Sequence, residues 1–263
     1  VANLKVAVIT KGHPFEAAPF FAVFDSIEGV EWTHIEQPEA LDIVHPERAG
    51  EFDVLVMYDM PGITFTGAEP PVIFTDPPPG YPAAFQAMLD RGQGMVFLHH
   101  AIAAWPAWPE YADIVGGRFC YQPGFLRGRE WPDSGYRHDV THTVEVIDAT
   151  HPLCAGLEPT FEITDELYLF PVFESDVQPL MCSTFSFVED NFFSADRAIR
   201  GERGSRNGWT HPVGSNLVAW TNNQGPSPLA YIQFGDSPVT YADANYRRVL
   251  SNAIAWAAQP LTN

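Results

Sequence analysis

The 263-residue chain is short of positive charge: 14 Lys and Arg stand against 33 Asp and Glu, a net charge of −19. Nucleic acid and anionic membrane surfaces both need a basic footprint, so neither is an expected partner. Long apolar runs are missing as well. No stretch of about 18 apolar residues occurs, which excludes a transmembrane helix. Cysteine is scarce: Cys120, Cys154 and Cys182 are an odd set without CxxC spacing, a poor basis for structural zinc or a disulfide framework. Reduced thiols point to the cytoplasm. The opening "VANLKVAVIT" has no charged n-region, long h-region or cleavage site, and reads as a strand rather than a signal. No GxGxxG follows it, and no GxxxxGK ending in Ser or Thr occurs anywhere, so NAD and ATP lack their phosphate cradle. A GxSxG elbow is absent too, against an α/β-hydrolase.

What is present reads as a globular core, with 46% apolar and 18% charged residues, organised as one domain over 1–263. "LKVAVIT" (4–10), "VEWTHIE" (30–36), "FDVLVMYDM" (52–60) and "GMVFLHH" (94–100) are short apolar runs typical of strands in a parallel sheet. Helical patterns separate them. One follows the turn in "KGHPFEAAPFFAVFDSI". Another is "YPAAFQAMLDRG" (81–92), with Gly92 near its C-cap, and a third is "AIAAWPAWPEYADIVGG", interrupted by Pro106 and Pro109. "EPPVIFTDPPPGYP" is a loop around a brief extended piece. Strands at 142–148 and 179–185, a strand pair within 217–236 and a closing helix over 245–259 complete the second half. The expected fold is a doubly wound α/β sheet, mostly parallel, with antiparallel additions in the C-terminal half. The long polar stretch 186–212 is expected to border a pocket or a homo-oligomer interface.

"ITKGHPF", "GMVFLHHA", "WPEYADIVGGRF", "DATHPLCAGL", "FEITDELY", "PLAYIQFGDS" and "NYRRVLSNAIAWAA" occur in the order seen in the ThuA-like (trehalose utilisation) family, which the chain resembles from about Leu4 to Ala258. The resemblance implies a flavodoxin-like sheet akin to class I glutamine amidotransferases, and a role in bacterial sugar catabolism involving disaccharides and their keto derivatives. Amidotransferases carry Cys in the turn after the fourth strand. Here the turn reads "FLHHA", so no thiolate is available for an acyl-enzyme and glutaminase activity is not expected. The chain departs from the family pattern at three places. Lys11-Gly12-His13 replaces Gly-Gly-His, two histidines fill the fourth turn instead of one, and Phe234-Gly235-Asp236 replaces Leu-Gly-His, which would remove a ligand or base.

In doubly wound sheets, ligands bind beyond the carboxyl ends of the strands. His13, Tyr58, Asp59, His99 and His100 all fall there. Successive residues leaving a strand point in opposite directions, so one of His99 and His100 should face the pocket while the other braces a neighbour. Glu166 and Asp165 form an acidic pair near Tyr168, and a buried Glu suits proton transfer. His13, His99, His100 and Glu166 together are N/O donors suited to zinc or another divalent cation, and equally to a metal-free acid/base site. Tyr58, Asp59, Trp105, Asp165, Tyr168 and Asp236 are candidates for substrate contact. Trp105, Trp108, Tyr111 and Trp131 offer flat faces to a sugar ring, while His151 before Pro152 reads as a structural turn residue. The resulting expectation is an enzyme acting on a small carbohydrate, a sugar or keto sugar, with His99 or His100 as base or ligand, Glu166 as acid or second ligand and His13 orienting. The rival is a non-catalytic sugar-binding or regulatory module on the same fold.

Overall fold

The computed structural model describes residues 3–259. Its strands are β1 (Leu4–Lys11), β2 (Val30–Glu36), β3 (Val54–Asp59), β4 (Ile63–Phe65), β5 (Val72–Phe74), β6 (Gly94–Leu98), β7 (Gly124–Leu126), β8 (Arg129–Trp131), β9 (Gly135–Val146), β10 (Thr160–Leu169), β11 (Gln178–Ser183), β12 (Phe193–Ser194), β13 (Leu217–Gln224) and β14 (Ser227–Ile232). The helices are α1 (Ala17–Asp25), α2 (Ala40–Ile43), α3 (Pro46–Ala49), α4 (Tyr81–Asp90), α5 (Pro109–Val115), α6 (Ala195–Ile199), α7 (Pro238–Ala242) and α8 (Ala244–Ala257).

One sheet in the order β10-β9-β11-β13-β14-β6-β3-β1-β2 organises the chain. The run from β14 to β2 pairs in parallel, and β13, β11, β9 and β10 add antiparallel strands, as the sequence pattern implies. Every residue of β3 and β6 is buried, because helices cover both faces. Alternation sorts their side chains into two cores. Val6, Val8, Val54, Val56 and Val96 pack towards α1 and α8, while Ala7, Ile9, Leu55, Met95 and Phe97 pack towards α4 and α5. Asp243 caps α8 by accepting from the backbone N–H of Asn245 and Tyr246.

Four details differ from the sequence pattern. The helix expected after His100 is a short 3₁₀ turn, His99–Ala103, followed by α5 with Pro109 at its first turn; Pro106 and Trp105, at φ +48°, lie between them. The strand expected at 142–148 starts at Gly135, and "FEITDELY" lies within its partner β10. The extended piece in the Pro-rich loop pairs as β4–β5. The polar stretch 186–212 carries β12 and α6.

The antiparallel half folds back on the parallel half. Although β10 lies at the far end of the strand order, Asp165 on it accepts from Gly235 N–H, and Tyr168 N–H donates to Gln233 Oε1. Both partners follow β14 directly. This brings β10 over the carboxyl edge of the parallel strands.

Candidate functional site

β6 ends at Leu98, and the chain turns at once because His99 takes a left-handed conformation, φ +47°. That conformation is uncommon for a side chain other than Gly, Asn or Asp and marks a turn held by its surroundings. What holds it is the imidazole itself. Nδ1–H donates to the Gln233 carbonyl at 2.7 Å, which fixes the tautomer and aims Nε2 away from the core. Around Nε2 stand the Tyr168 hydroxyl at 2.7 Å, Glu166 Oε2 at 3.1 Å and Asp236 Oδ1 at 3.6 Å.

Glu166 owes its direction to a bulge. Asp165 pairs with Val140 and Leu167 with Arg137, so His138 and Asp139 together oppose Glu166 alone. Asp139 adopts φ +54° to accommodate this. The bulge turns the His138 ring so that Nδ1 lies 3.2 Å from Glu166 Oε1 and 3.8 Å from Asp236 Oδ2. Asp236 is set by the turn after β14. There Asp165, itself buried, accepts from the backbone N–H groups of Glu166, Gly235 and Asp236 at 2.9, 2.6 and 3.1 Å. Gly235 sits at φ +129°, and a Cβ there would meet the Tyr246 hydroxyl at 3.2 Å, so the turn requires glycine.

Burial by itself disfavours a charged His99, but hydrogen bonding and charge from Asp236 and Glu166 more than reverse this and raise its pKa well above the ordinary value. Burial also works against a charged Asp236, yet His138 and His99 hold its carboxyl well below the usual range. His138 is raised by Asp236. His100 behaves oppositely: burial first, then the neighbouring histidines, push it well below the ordinary value. His13 is lowered by burial and by the charge on His99.

The two strand-exit histidines point apart, and the left-handed turn at His99, not strand alternation, sets their directions. His99 meets the acidic groups. His100 turns back, donating Nε2–H to the Tyr58 carbonyl at 3.1 Å and stacking on His13 at 4.5 Å between ring centroids. Of the four donors expected to form a metal set, the structure brings together His99 and Glu166; His13 stands beside them and His100 behind. The place of a third donor is taken by Asp236, so the exchange of His for Asp at the end of β14 keeps a metal-capable atom there instead of removing it. His99, Glu166 and Asp236 each offer a ligand atom within 4.8 Å of the others.

Above the cluster opens a cleft of about 560 Å³ whose lining includes His13, Phe65, Tyr121, His138, Glu166 and Tyr168. Tyr136 of β9 also lines it, as do Ala195, Ala198, Ile199 and Arg203, so the 186–212 segment borders the cleft. Several expected substrate contacts lie elsewhere. Tyr58 is buried and donates its hydroxyl to the Gly235 carbonyl, supporting the turn. Asp59 is buried against Gln37 on the far side. Trp105, Trp108 and Tyr111 belong to the core under α4 and α5, and Trp131 lies beside β7 and β8. The aromatic faces come instead from Phe65, Phe119, Tyr121, Tyr136 and Tyr168. His151 accepts from Leu153 N–H and is structural. His138 was not legible in the sequence, because the bulge at Asp139 breaks the alternation that would have exposed it. Gln233, which orients both His99 and Tyr168, left only its place at a strand end as a signal.

A mostly parallel sheet extended by antiparallel strands, with a sharp turn after the central strand that bears His99 and His100, defines an α/β protein of amidotransferase-like fold. Burial pushes the Cys120 and Cys154 thiols up to about 11. The chain belongs to the ThuA family, described by trehalose utilisation, whose model matches residues 24–257. Its role is accordingly carbohydrate-related. Among solved structures, a ThuA-like protein from Parabacteroides merdae is 15% identical, with a TM-score of 0.67 over 99% of this chain and 92% of that one. A ThuA-like protein from Bacteroides uniformis is 17% identical, with a TM-score of 0.64 over 97% and 92%. A cytoplasmic protein from Salmonella typhimurium is 12% identical, with a TM-score of 0.59 over 97% and 100%. At these identities the likeness is one of fold. No curated protein matches the chain. Among the described residues no helix is long and apolar enough to cross a membrane.

Proposed function

We propose that the chain is a cytoplasmic enzyme of carbohydrate catabolism that moves a proton on a sugar or keto sugar at the floor of this cleft. The observation that carries the reading is the His99–Glu166–His138 run. One carboxylate, 4% exposed, lies 3.1 Å from a fully buried imidazole on one oxygen and 3.2 Å from a cleft-facing imidazole on the other. A binding module has no need of convergent titratable groups, which are expensive to bury.

In this reading Glu166 takes a proton from a carbon beside a carbonyl, or from a hydroxyl. His99 and the Tyr168 hydroxyl, 2.7 Å apart, stabilise negative charge that develops on the substrate oxygen. His138, more than half exposed, exchanges the proton with solvent. Aromatic rings around the rim provide the faces on which a sugar ring stacks. The family description supports the substrate class and the geometry supports the chemistry.

The test is turnover of a panel of disaccharides and their keto derivatives by the wild type and by Glu166→Gln. The variant is expected to keep binding and lose roughly 10²-fold or more in kcat. Equal kcat in the two proteins would remove Glu166 as the base, and sugar binding with no turnover by either would leave the binding-module reading standing instead.

A further inference from the structure

We propose that the floor of the cleft holds a first-row divalent cation, zinc or manganese in character, ligated by His99 Nε2, Glu166 and Asp236 with His138 Nδ1 beside them. The inference deepens the reading above and rests on it: with the ion held by His99 Nε2 and Glu166 Oε2, Glu166 Oε1, beside His138, is the oxygen left to take the proton, and the ion would replace His99 in stabilising charge on the substrate oxygen.

Three independent features carry it. The first is spacing. His99 Nε2 lies 3.1 Å from Glu166 Oε2 and 3.6 Å from Asp236 Oδ1, and these three residues each offer a ligand atom within 4.8 Å of the others. His138 Nδ1 lies 3.2 Å from Glu166 Oε1 and 3.8 Å from Asp236 Oδ2, the second oxygen of each carboxylate. Bonds of about 2.0–2.1 Å to nitrogen and oxygen give a tetrahedral edge of about 3.3 Å. The separations from His99 Nε2 to the two carboxylates thus already stand near that edge length, with His138 placed as an outer partner of both carboxylates.

The second is the orientation of His99. Its Nδ1–H is committed to the Gln233 carbonyl, which is the outer bond that metal-bound imidazoles characteristically make. Nε2 is left facing three oxygens within 3.6 Å, from Tyr168, Glu166 and Asp236. A single N–H can point well at one of them. A cation in their midst would satisfy the imidazole and both carboxylates together.

The third is charge. Glu166 and Asp236 are 4% and 19% exposed, and the ion pairs they make among the described residues are with histidines, not with Lys or Arg. Buried carboxylates are paired or coordinate metals. The mixed imidazole and carboxylate set suits zinc, manganese, iron or cobalt, and is a poor match for the all-oxygen preference of calcium and magnesium.

The experiment is calorimetric titration of the chelator-stripped full chain with Zn(II) and with Mn(II), alongside the visible spectrum of the Co(II) form and melting curves. One ion per chain, a raised Tm and a Co(II) spectrum with nitrogen ligation are expected. Asp236→Asn and His138→Gln alter partly exposed groups and should fold. Asp236→Asn is expected to weaken binding at least tenfold and His138→Gln less, whereas His151→Ala, remote from the cleft, leaves affinity unchanged. No binding by the wild type, or binding that Asp236→Asn leaves intact, overturns the proposal. Failure of the ion and failure of the functional reading separate cleanly. Stripped wild type that binds no ion yet turns over a keto sugar, while Glu166→Gln does not, removes the ion and keeps the proton-transfer reading. Binding of the ion at the ring in a protein that turns over none of the sugars does the reverse.

Discussion

Asp165 touches nothing in the cleft, yet its replacement is expected to damage both the fold and the site. Its Oδ2 accepts from Gly235 N–H at 2.6 Å, and its Oδ1 accepts from Glu166 N–H at 2.9 Å and Asp236 N–H at 3.1 Å. Asp165→Ala leaves three buried backbone donors without a partner. Each such loss costs about 1–3 kcal/mol, and water entering the truncated space recovers part of it, so the sum should be about 3–6 kcal/mol. For a chain of this length that corresponds to a Tm lowered on the order of 10 °C. Asp165→Asn keeps one oxygen for Glu166 and Asp236 but turns an amide N–H₂ towards the Gly235 N–H, so its melting point should fall between the wild type and Ala. Scanning fluorimetry and urea unfolding of the three proteins, with sugar turnover measured well below each Tm, provide the assay. Because the same carboxylate positions both Glu166 and Asp236, activity should fall even in the folded fraction. An Ala variant melting within about 2 °C of the wild type would refute the argument, since three stranded donors cannot cost so little. So would Asn and Ala variants with the same Tm.

His100→Ala should be a stability variant rather than an activity variant: loss of the bond to the Tyr58 carbonyl and of the stack on His13 should cost about 1–3 kcal/mol, with turnover by the folded protein reduced far less than in Glu166→Gln. Its urea midpoint and kcat, measured together, decide. Burial pushes His142 down to about 4, so the fold favours its neutral form. A folded pKa below the unfolded value means that this contribution is present above about pH 6.5 and is lost as pH falls towards 4, on the order of 3 kcal/mol in all. His142→Gln should flatten the acid limb of the stability profile, and a profile with an unchanged slope between pH 6.5 and 4 would remove His142 as its source.

The parallel half of the fold was legible in the sequence because its information is local. Runs such as "VLVMYD" and "GMVFL" are buried on both faces, and few backbones other than a helix-covered parallel strand tolerate that. That His99 and His100 would sit at the strand exit was legible too, but which of them meets the acidic groups was not, because the left-handed turn at His99 breaks the alternation of the strand. The family signatures, spread in order along the chain, likewise pointed to the fold before any contact was known.

The membership of the site could not be read that way. His138 reaches Glu166 only because Asp139 takes an extra place in β9 against β10, and a bulge has no periodicity to reveal it. Asp236 meets His99 only because the outermost strand, β10, folds back and pins the Gly235 turn through Asp165. Trp105 and Tyr58 looked equally well placed by their positions after strands, but they point into the cores between sheet and helix. Which residues lie at a strand end is fixed by the order of residues along the chain. Which of them face one another is fixed by the curl of the sheet, a long-range outcome of packing that no local stretch encodes.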